Sequence, residues 1–349
     1  MVARPRIKDV ARHAGVSPKT VSNVINDYEH VSEHTRAAVR EAIDALGYRV
    51  NIAGRQLRRG HTGMITLAVP ELDVAYFSEL ARHVMTAAEH CGRTVLIHQT
   101  GGRREGELAA LNGFDAQFTD GVILSPLALL PEDVSERDAR LPLVLLGERN
   151  PPGSADHVGI DNLRAAHEAT RHLLARGRRR IAVIGGAADG PQGTDRIRTS
   201  GYEEALRAAG VPLDPRLIVP VPAFHWTDGA RAATRILALP EPPDALLCLN
   251  DHLALGAVRA LHEQGRSVPD DLDVVGFDDI EAGRFSIPTL TTVAPPKEEL
   301  ARVAVDLLLR RIEEPSDGSM PVEHVVGHRL IVRESSGGTT VAAGPAGEA

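Results

Sequence analysis

A short segment near the start, "VSPKTVSNVIN" (residues 16–26), presents hydroxyl, amide and ammonium groups on one face of a predicted helix. Val21, Val24 and Ile25 fall at helical spacing and point inward, which leaves the polar groups outside. Side chains of this kind contact base edges and phosphate oxygens when a helix enters the major groove of DNA. The segment therefore predicts a nucleic-acid contact.

The distribution of charge supports a polyanionic partner for the N-terminal segment alone. Residues 1–61 hold 11 Lys and Arg against 6 Asp and Glu, a net charge of +5. The remaining 288 residues hold 28 against 41, a net charge of −13, so the whole chain carries −8. A basic head on an acidic body favours a polyanion at the head. Composition alone leaves a merely uneven solvated surface as the alternative.

Three short helices would position this polar face. Residues 6–14 predict the first helix, and a turn that contains glycine follows. Ser17 is suited to cap the second helix, with Pro18 at its first position. A third helix is predicted from near Ser32 to Gly47. Three helices with such a turn between the first two match a helix-turn-helix headpiece.

The apolar runs after residue 61 alternate with helical stretches, as in "MITLAVP", "RIAVIGG" and "LDVVGFDD". Uninterrupted apolar runs are typical of parallel strands that helices cover on both faces. About 270 residues of this pattern exceed one comfortable sheet. We therefore expect an α/β protein, with a three-helix headpiece followed by a core of two doubly wound parallel sheets.

Several classes of protein are disfavoured by missing patterns. No apolar run reaches the roughly 18 residues of a membrane span, and no secretory signal is present, so a cytoplasmic protein without a membrane partner is expected. No HExxH or CxxC spacing predicts a metal site, and Cys91 and Cys248 lie in apolar segments that predict buried free thiols. No GxGxxG follows the first strand and no P-loop occurs, so the pattern predicts neither an enzyme nor a cofactor.

Three segments resemble one known family. Residues 7–51, "IKDVARHAGVSPKTVSNVINDYEHVSEHTRAAVREAIDALGYRVN", resemble the headpiece of the lac repressor–galactose repressor family of bacterial transcription regulators. "CLNDHLALGAVRALHEQGRSVPDDLDVVGFDDI" and "TTVAPPKEELARVAVDLLLRRI" resemble two landmarks of its core. The resemblance implies a dimer on a palindromic operator, with one headpiece per half-site, and a two-lobed core like that of periplasmic sugar-binding proteins.

The resemblance also implies domain boundaries. We expect a headpiece at 1–49, a hinge helix or linker at 50–61, a core at 62–336 and a flexible tail at 337–349. Lobe one is expected at about 62–160 and 291–322, and lobe two at about 161–290 and 323–336. The tail contains no leucine heptad, which favours a dimer over a tetramer.

On the family pattern, the base-reading positions of the second helix are Pro18, Lys19 and Asn23. Lys19 is suited to guanine O6 or N7, Asn23 to adenine or a phosphate, and Pro18 to apolar contact. The predicted phosphate contacts of the same helix are Ser17, Thr20, Ser22 and Asn26.

The resemblance implies that residues 50–61 fold into a short helix on the operator. Leu57 holds the position of a leucine that wedges into the minor groove, while Arg55, Arg58 and Arg59 would neutralise phosphates. Gly54 departs from the alanine often seen in the family and lowers helix propensity. A plain flexible linker is the alternative. With about six phosphates neutralised, the logarithm of the DNA affinity should fall with that of the salt concentration at a slope near −5.

Polar residues follow two predicted strands of the core. "LDVVGFDD" delivers Asp278 and Asp279, and "ALLCLN" delivers Asn250 with Asp251 directly after it. Strand ends of doubly wound sheets face a ligand cleft, and the family positions imply Asp278 and Asn250 as the direct contacts. A carboxylate with an amide suits the paired hydroxyls of a sugar, with a nucleoside as the second candidate. Asp251 is expected to cap the next helix, and Asp161 to serve the cleft or cap the helix from Asn162.

Family positions add further effector-binding candidates. An arginine that precedes Gly201 is implied, and both Arg196 and Arg198 qualify, each with a surface ion pair as the alternative. The aromatic and strand-end candidates are Tyr76, Phe77, Phe224, Ser125 and Glu148. Core packing is the alternative for each aromatic residue.

The leading interpretation is a homodimeric repressor whose affinity for duplex DNA is controlled by a small molecule, a carbohydrate before others. Whether the effector releases or favours DNA stays open. A solute-binding receptor on the same core, without a DNA-binding role, is the competing interpretation. The headpiece and the missing secretory signal disfavour it.

Overall fold

The computed structural model describes residues 5–25, 28–48, 61–112, 118–137, 140–147, 155–188, 193–314 and 320–338. Two compact units divide the chain, one through Thr62 and one from Gly63. Within the described part, no helix is long and apolar enough to cross a membrane.

The first unit contains the three predicted helices, α1 Ile7–His13, α2 Pro18–Ile25 and α3 Glu33–Leu46. The three helices share a small hydrophobic core. Val10, Val21 and Val39, one from each helix, are completely buried in it. The Ser32 hydroxyl accepts a hydrogen bond from the Thr35 N–H at 3.3 Å, which caps α3. The predicted helices and caps are confirmed.

Replacing Ser32 by alanine should destabilise the headpiece by about 1 kcal/mol, because the Thr35 N–H at the start of α3 loses its acceptor. Faster amide hydrogen exchange in a peptide that covers Glu33–Leu46 of the full chain would report the loss. Ser32→Thr keeps an oxygen at this position and is the matched control. Equal exchange in the alanine and threonine variants would contradict the capping role.

The second unit holds two six-stranded sheets. The first sheet, in lobe one, is entirely parallel with the order β11-β5-β4-β3-β1-β2. Its strands are β1 Met64–Val69, β2 Thr94–Gln99, β3 Val122–Leu124, β4 Leu143–Leu146, β5 Asp156–Ile160 and β11 Glu323–Val326. The central strands β1, β3 and β4 are apolar and buried along nearly their whole length, as expected for a sheet covered on both faces.

The second sheet, in lobe two, has the order β12-β10-β9-β8-β6-β7, with only the β10–β12 pair antiparallel. Its strands are β6 Ile181–Ile184, β7 Ile218–Val219, β8 Ala245–Cys248, β9 Asp273–Phe277, β10 Thr291–Ala294 and β12 Arg329–Ile331. The α/β class with two parallel-sheet lobes is confirmed.

Nine further helices surround the described sheets. They are α4 Ala75–His90, α5 Arg104–Asn112, α6 Pro131–Ser135, α7 Asn162–Ala175, α8 Thr194–Ala208, α9 Trp226–Leu237, α10 Asp251–Glu263, α11 Glu281–Phe285 and α12 Lys297–Glu313. Helix α12 packs with α4 on the first sheet, through buried residues such as Leu300 and Leu308. The chain has therefore returned to lobe one by the start of α12.

The lobe boundaries differ from those expected. Thr291–Ala294 was expected in lobe one, but it pairs in parallel with β9 and lies in the second sheet. Glu323–Val326 was expected in lobe two, but it pairs with β5 and lies in the first sheet. The return crossing thus falls at Pro295 and Pro296, where proline removes the backbone donors that a sheet ladder needs.

Two smaller expectations need correction. Cys91, which ends α4, is exposed, whereas Cys248 on β8 is buried as predicted. The predicted tail is still ordered at Gly338, whose N–H donates to the Arg333 carbonyl at 2.8 Å. Residues 339–349 lie outside the described part of the chain.

Candidate DNA-binding and effector sites

The outward face of α2 carries the predicted base-reading residues. Pro18 and Lys19 are exposed and Asn23 is half-buried, while Val21 and Val24 on the opposite face are buried. Ser17 caps the helix, since its hydroxyl accepts from the Thr20 N–H at 3.1 Å. Ser17 and Thr20 also share a hydrogen bond between their hydroxyls at 2.9 Å, and Ser22 is half-buried. The fold therefore leaves the predicted polar face of α2 accessible to a partner.

The other DNA-binding candidates fall outside the described residues. Asn26 follows α2, and Gly54, Arg55, Leu57, Arg58 and Arg59 belong to the predicted hinge. Their roles stay predictions.

A cavity of about 450 Å³ lies between the two lobes. Lobe one and lobe two both line it, at the carboxyl ends of their strands. Most predicted effector residues meet there, namely Tyr76, Phe77, Ser125, Arg198, Phe224, Asn250 and Asp278. Glu148 lies outside the described residues.

Arg198, in the first turns of α8, enters the cavity. Its Nε donates to the Asn162 side-chain oxygen at 2.6 Å, and its guanidinium donates to the Leu249 carbonyl. The guanidinium carbon also lies 4.0 Å from the centre of the Phe277 ring. These contacts fix a planar cation in the cavity wall, with its remaining N–H groups available as hydrogen-bond donors.

Arg196 does not line the cavity. Both of its terminal nitrogens bind the Glu203 carboxylate, at 3.1 and 3.2 Å, two turns further along α8. The choice between the two arginines that the sequence left open is thus decided by the position of an acidic partner. Arg198 is the cavity residue, and Arg196 forms the ion pair.

The close approach of α8 and α7 places Arg198 beside Asn162. A Cβ atom at Gly201 would lie 2.1 Å from the Leu163 carbonyl oxygen, so only glycine allows this approach. Asp161 caps α7 by accepting from the Arg164 N–H at 2.9 Å. Asn162, the first residue of α7, lines the cavity, whereas the cleft residue predicted from the sequence was its neighbour Asp161.

Asp278 sits on a turn with unusual backbone angles. Its φ is 108° and that of Asp279 is 47°, a region that few residues other than glycine adopt. Lys297 reaches across from α12 and donates to the carbonyl oxygens of both residues, at 2.6 and 3.0 Å. The ammonium group also lies 2.7 Å from a Glu79 carboxylate oxygen on α4. The turn that carries Asp278 is therefore held by lobe one.

Asp279 points away from the cavity into two ion pairs. Its carboxylate binds Arg333 at 2.5 Å and Arg284 at 2.7 Å. Burial raises the pKa of Asp279, but the hydrogen bonds and charges of the two arginines outweigh burial and lower the pKa overall. Asp278, unlike Asp279, lines the cavity, as do the carboxylate residues Glu71 and Asp195.

Asp251 does not cap α10, contrary to expectation. The cap is Asn250, whose side-chain oxygen accepts from the Leu253 N–H at 2.8 Å and whose amide donates to the Phe224 carbonyl at 2.9 Å. Asp251 is buried behind the Asp278 turn and accepts from the Ile280 N–H and the Thr292 hydroxyl. Burial, and then the charge of Asp278, raise the pKa of Asp251 well above its ordinary value.

Aromatic rings form the apolar part of the cavity wall. Tyr76 and Phe77, in the first turn of α4, pack edge to face with ring centres 5.2 Å apart. Both line the cavity and both also contact the lobe-one core. Phe224 contributes a ring from lobe two. A cavity with aromatic walls and a few fixed polar groups is typical of small-molecule sites.

Comparisons with known proteins agree with a DNA-binding headpiece and a two-lobed core. Residues 6–51 match the family model "Bacterial regulatory proteins, lacI family", and residues 170–336 match "Periplasmic binding protein-like domain". The chain is 35% identical over 332 residues to the HTH-type transcriptional repressor CytR of Escherichia coli strain K12, which covers 95% of this chain and 96% of that protein.

Two solved structures extend this likeness. A complex of the transcriptional regulator CelR with cellobiose is 33% identical, with a TM-score of 0.66 over 95% of this chain and 100% of that one. The lac repressor dimer bound to operator and the anti-inducer ONPF is 26% identical, with a TM-score of 0.82 over 96% and 99%.

A helix-turn-helix headpiece joined to a two-lobed ligand-binding core defines a ligand-responsive DNA-binding regulator. The chain belongs to the lacI family of bacterial regulatory proteins. The family consists of transcription regulators and not of enzymes, and a solute-binding receptor without a DNA-binding role is not favoured.

Proposed function

We propose that two copies of this chain form a homodimer that represses transcription from an inverted-repeat operator. One headpiece reads each half-site, because the described part of a single chain contains one helix-turn-helix unit. The similar lac repressor was solved as a dimer on its operator, which supports this arrangement. A cytoplasmic location follows from the DNA partner, and no catalytic step or cofactor is assigned to the cavity.

In the complex, α2 lies in the major groove. The exposed Lys19 donates to guanine, Asn23 contacts adenine or a phosphate, and Pro18 contacts a thymine methyl group. The phosphate contacts come from Ser17, Thr20, Ser22 and Asn26, and the hinge adds Arg55, Leu57 and Arg58 in the minor groove.

The effector is a hydroxyl-rich small molecule, with a carbohydrate favoured. The observation that carries this proposal is the convergence of Arg198 and Asp278 on one cavity, a fork of donors with a carboxylate acceptor. Asn162 and Asn250 add amide groups, while the aromatic rings offer apolar faces to C–H groups. The cellobiose complex of CelR supports a carbohydrate in this class of cavity.

Effector binding would control DNA affinity through the relative position of the lobes. A ligand that binds one lobe arrangement more tightly shifts the population toward it. The coupling free energy between effector and DNA is typically about 1–3 kcal/mol and acts in both directions.

A thermal-shift screen of mono- and disaccharides and nucleosides on the full chain should identify the effector. At ten times its Kd, the effector should add about 1.4 kcal/mol to the free energy of unfolding of the core. Each hit is then added to a complex with an operator selected from random duplexes. A hit that stabilises the core and changes operator affinity is expected, whereas hits without any effect on operator affinity would contradict the proposal.

The two arginines of α8 supply a matched control for this screen. Arg198→Lys keeps the charge but loses the planar fork, so the effector's stabilising effect should largely disappear. Arg196→Lys makes the same change outside the cavity and should retain that effect. Equal losses in both variants would argue against the cavity as the binding site.

A further inference from the structure

Three side chains with metal-binding groups converge beside the effector cavity. Glu71 and Asp73 follow β1 in lobe one, and His225 directly precedes α9 in lobe two. One ligand atom from each of the three lies within 4.8 Å of the other two, and His225 Nε2 lies 3.0 Å from a Glu71 carboxylate oxygen. We propose that these residues form a divalent transition-metal site that bridges the two lobes.

The spacing of these atoms suits a single ion. Oxygen and imidazole ligands lie about 2.0–2.2 Å from Zn²⁺, so two ligands on one ion are separated by about 3.0–3.5 Å. The pair formed by His225 and Glu71 already has such a separation. Asp73 is exposed, so a rotation of its side chain can bring its carboxylate into reach. Two carboxylates neutralise the charge of the ion, and the remaining coordination positions are left to water or a ligand.

The donor set points to a transition metal. One imidazole with two carboxylates suits Zn²⁺, Mn²⁺ and Co²⁺, whereas Mg²⁺ and Ca²⁺ prefer oxygen ligands alone. We therefore take Zn²⁺ as the test ion and Mn²⁺ as a second probe. No local motif indicates this site, because its two halves are about 150 residues apart and lack any local ligand spacing.

The close packing of α9 on α10 fixes the lobe-two side of the cluster. A Cβ atom at Gly256 would lie 1.9 Å from the Trp226 carbonyl oxygen, and one at Gly229 would lie 2.1 Å from the Leu253 carbonyl oxygen. These two glycines therefore allow the start of α9, and with it His225, to sit directly against the start of α10.

A second histidine joins the two sides of the cluster. The centre of the His252 ring lies 4.9 Å from the centre of the Trp226 ring, and Trp226 directly follows His225 in the chain. His252 Nε2 accepts a hydrogen bond of 3.4 Å from the backbone N–H of Ala75, which lies two residues beyond Asp73 in the chain. His252 is buried, and its Nδ1 has no hydrogen-bond partner among the residues that the structure describes. Because Nε2 is an acceptor, Nδ1 of the neutral ring carries the hydrogen, and a buried N–H donor without a protein partner calls for an ordered water nearby, such as a water bound to an ion at this cluster.

An ion at this position would act on the same conformational change as the effector. Its ligands come from both lobes, so it stabilises the arrangement in which Glu71 and His225 are within reach of each other. Glu71 also lines the effector cavity. Metal and effector affinities should therefore be thermodynamically linked, each changing the other by the same factor.

Isothermal titration of Zn²⁺ into the metal-free full chain without a histidine tag tests the proposal. The wild type should bind one ion per chain at this site, and His225→Ala should raise the Kd at least tenfold. His262→Ala removes an exposed imidazole from α10, remote from the cluster in sequence, and should leave the Kd unchanged. Mn²⁺ titrations followed by electron paramagnetic resonance should give the same ranking.

Asp73→Asn distinguishes a metal site from a simple ion pair between His225 and Glu71. The variant leaves that pair in place, so the metal-free Tm should stay unchanged while the Kd for Zn²⁺ rises. Equal Zn²⁺ affinity in the wild type, His225→Ala and Asp73→Asn would overturn the proposal. A wild type that binds no ion at millimolar Zn²⁺ would overturn it as well.

Discussion

Asp278→Asn should remove the effector response while DNA affinity in the absence of effector stays unchanged. Asp278 lines the cavity and its carboxylate is the proposed acceptor for the effector, and a hydrogen bond to a charged group contributes about 1.5–3 kcal/mol. Losing one such bond corresponds to an effector affinity about 10- to 100-fold weaker. Asparagine keeps the shape of the side chain and tolerates the φ of 108° at this position.

The variant should remain folded for an electrostatic reason. The charge of Asp278 helps to raise the pKa of the buried Asp251. A carboxyl group with a raised pKa in the folded state costs stability as the pH rises from its unfolded pKa to its folded one. Removing the Asp278 charge reduces this cost, so the free energy of unfolding at neutral pH should stay equal or increase.

Fluorescence anisotropy with labelled operator, measured across a series of effector concentrations, gives both quantities at once. Asp270→Asn, an identical change at an exposed position of the same lobe, is the control and should behave as the wild type. If Asp278→Asn still responded to the effector at the wild-type concentration, Asp278 would not be part of the binding site.

The turn that carries Asp278 also connects effector binding to lobe one. Lys297 binds the carbonyl oxygens of Asp278 and Asp279 and pairs with Glu79, whose other carboxylate oxygen accepts from the Glu281 N–H at 2.9 Å. A ligand that moves the Asp278 turn therefore moves groups anchored on α4 and α12. These helices pack on the first sheet, so under the proposed function the Asp278 turn would connect the effector to lobe one.

Local patterns predicted those features of the fold that local physics determines. The caps of α3, the inward valines of α2 and the apolar strands all follow from neighbours within a few residues. Strand ends likewise indicated the two segments that carry Asp278 and Asn250, because the carboxyl edge of a parallel sheet is where ligands bind, and the family resemblance selected these two residues from their neighbours. Strand pairing between distant segments does not follow from local patterns. The predicted lobes of Thr291–Ala294 and Glu323–Val326 were therefore wrong.

The differences between the predicted and the observed sites come from side-chain contacts that the local sequence pattern does not determine. Arg196 and Arg198 have similar sequence surroundings. Arg196 pairs with Glu203 and stays outside the cavity, whereas Arg198 binds Asn162 at the cavity wall. Asp251 has the position of a helix cap, but the approach of Ile280 and Thr292 draws its carboxylate inward. Cys91 follows an amphipathic helix, and its exposure depends on which face α4 turns to the sheet.

Lys19→Ala should reduce the affinity for the selected operator at least tenfold, and the affinity for scrambled duplex far less. A side chain that bonds guanine O6 or N7 contributes about 1–3 kcal/mol of discrimination against other bases. Lys19 is exposed, and the buried face of α2, formed by Val21 and Val24, is untouched, so the headpiece should stay folded. Operator and scrambled duplexes are compared by anisotropy across a range of salt concentrations.

Lys8→Ala separates base reading from simple loss of charge. Lys8 is exposed on α1, so its removal takes away the same charge from the same unit. If Lys8 serves only a phosphate, the variant should weaken both duplexes equally and lower the salt slope by about 1. Lys19→Ala should instead narrow the ratio between operator and scrambled affinities. An unchanged ratio in Lys19→Ala would show that Lys19 contacts only the phosphate backbone.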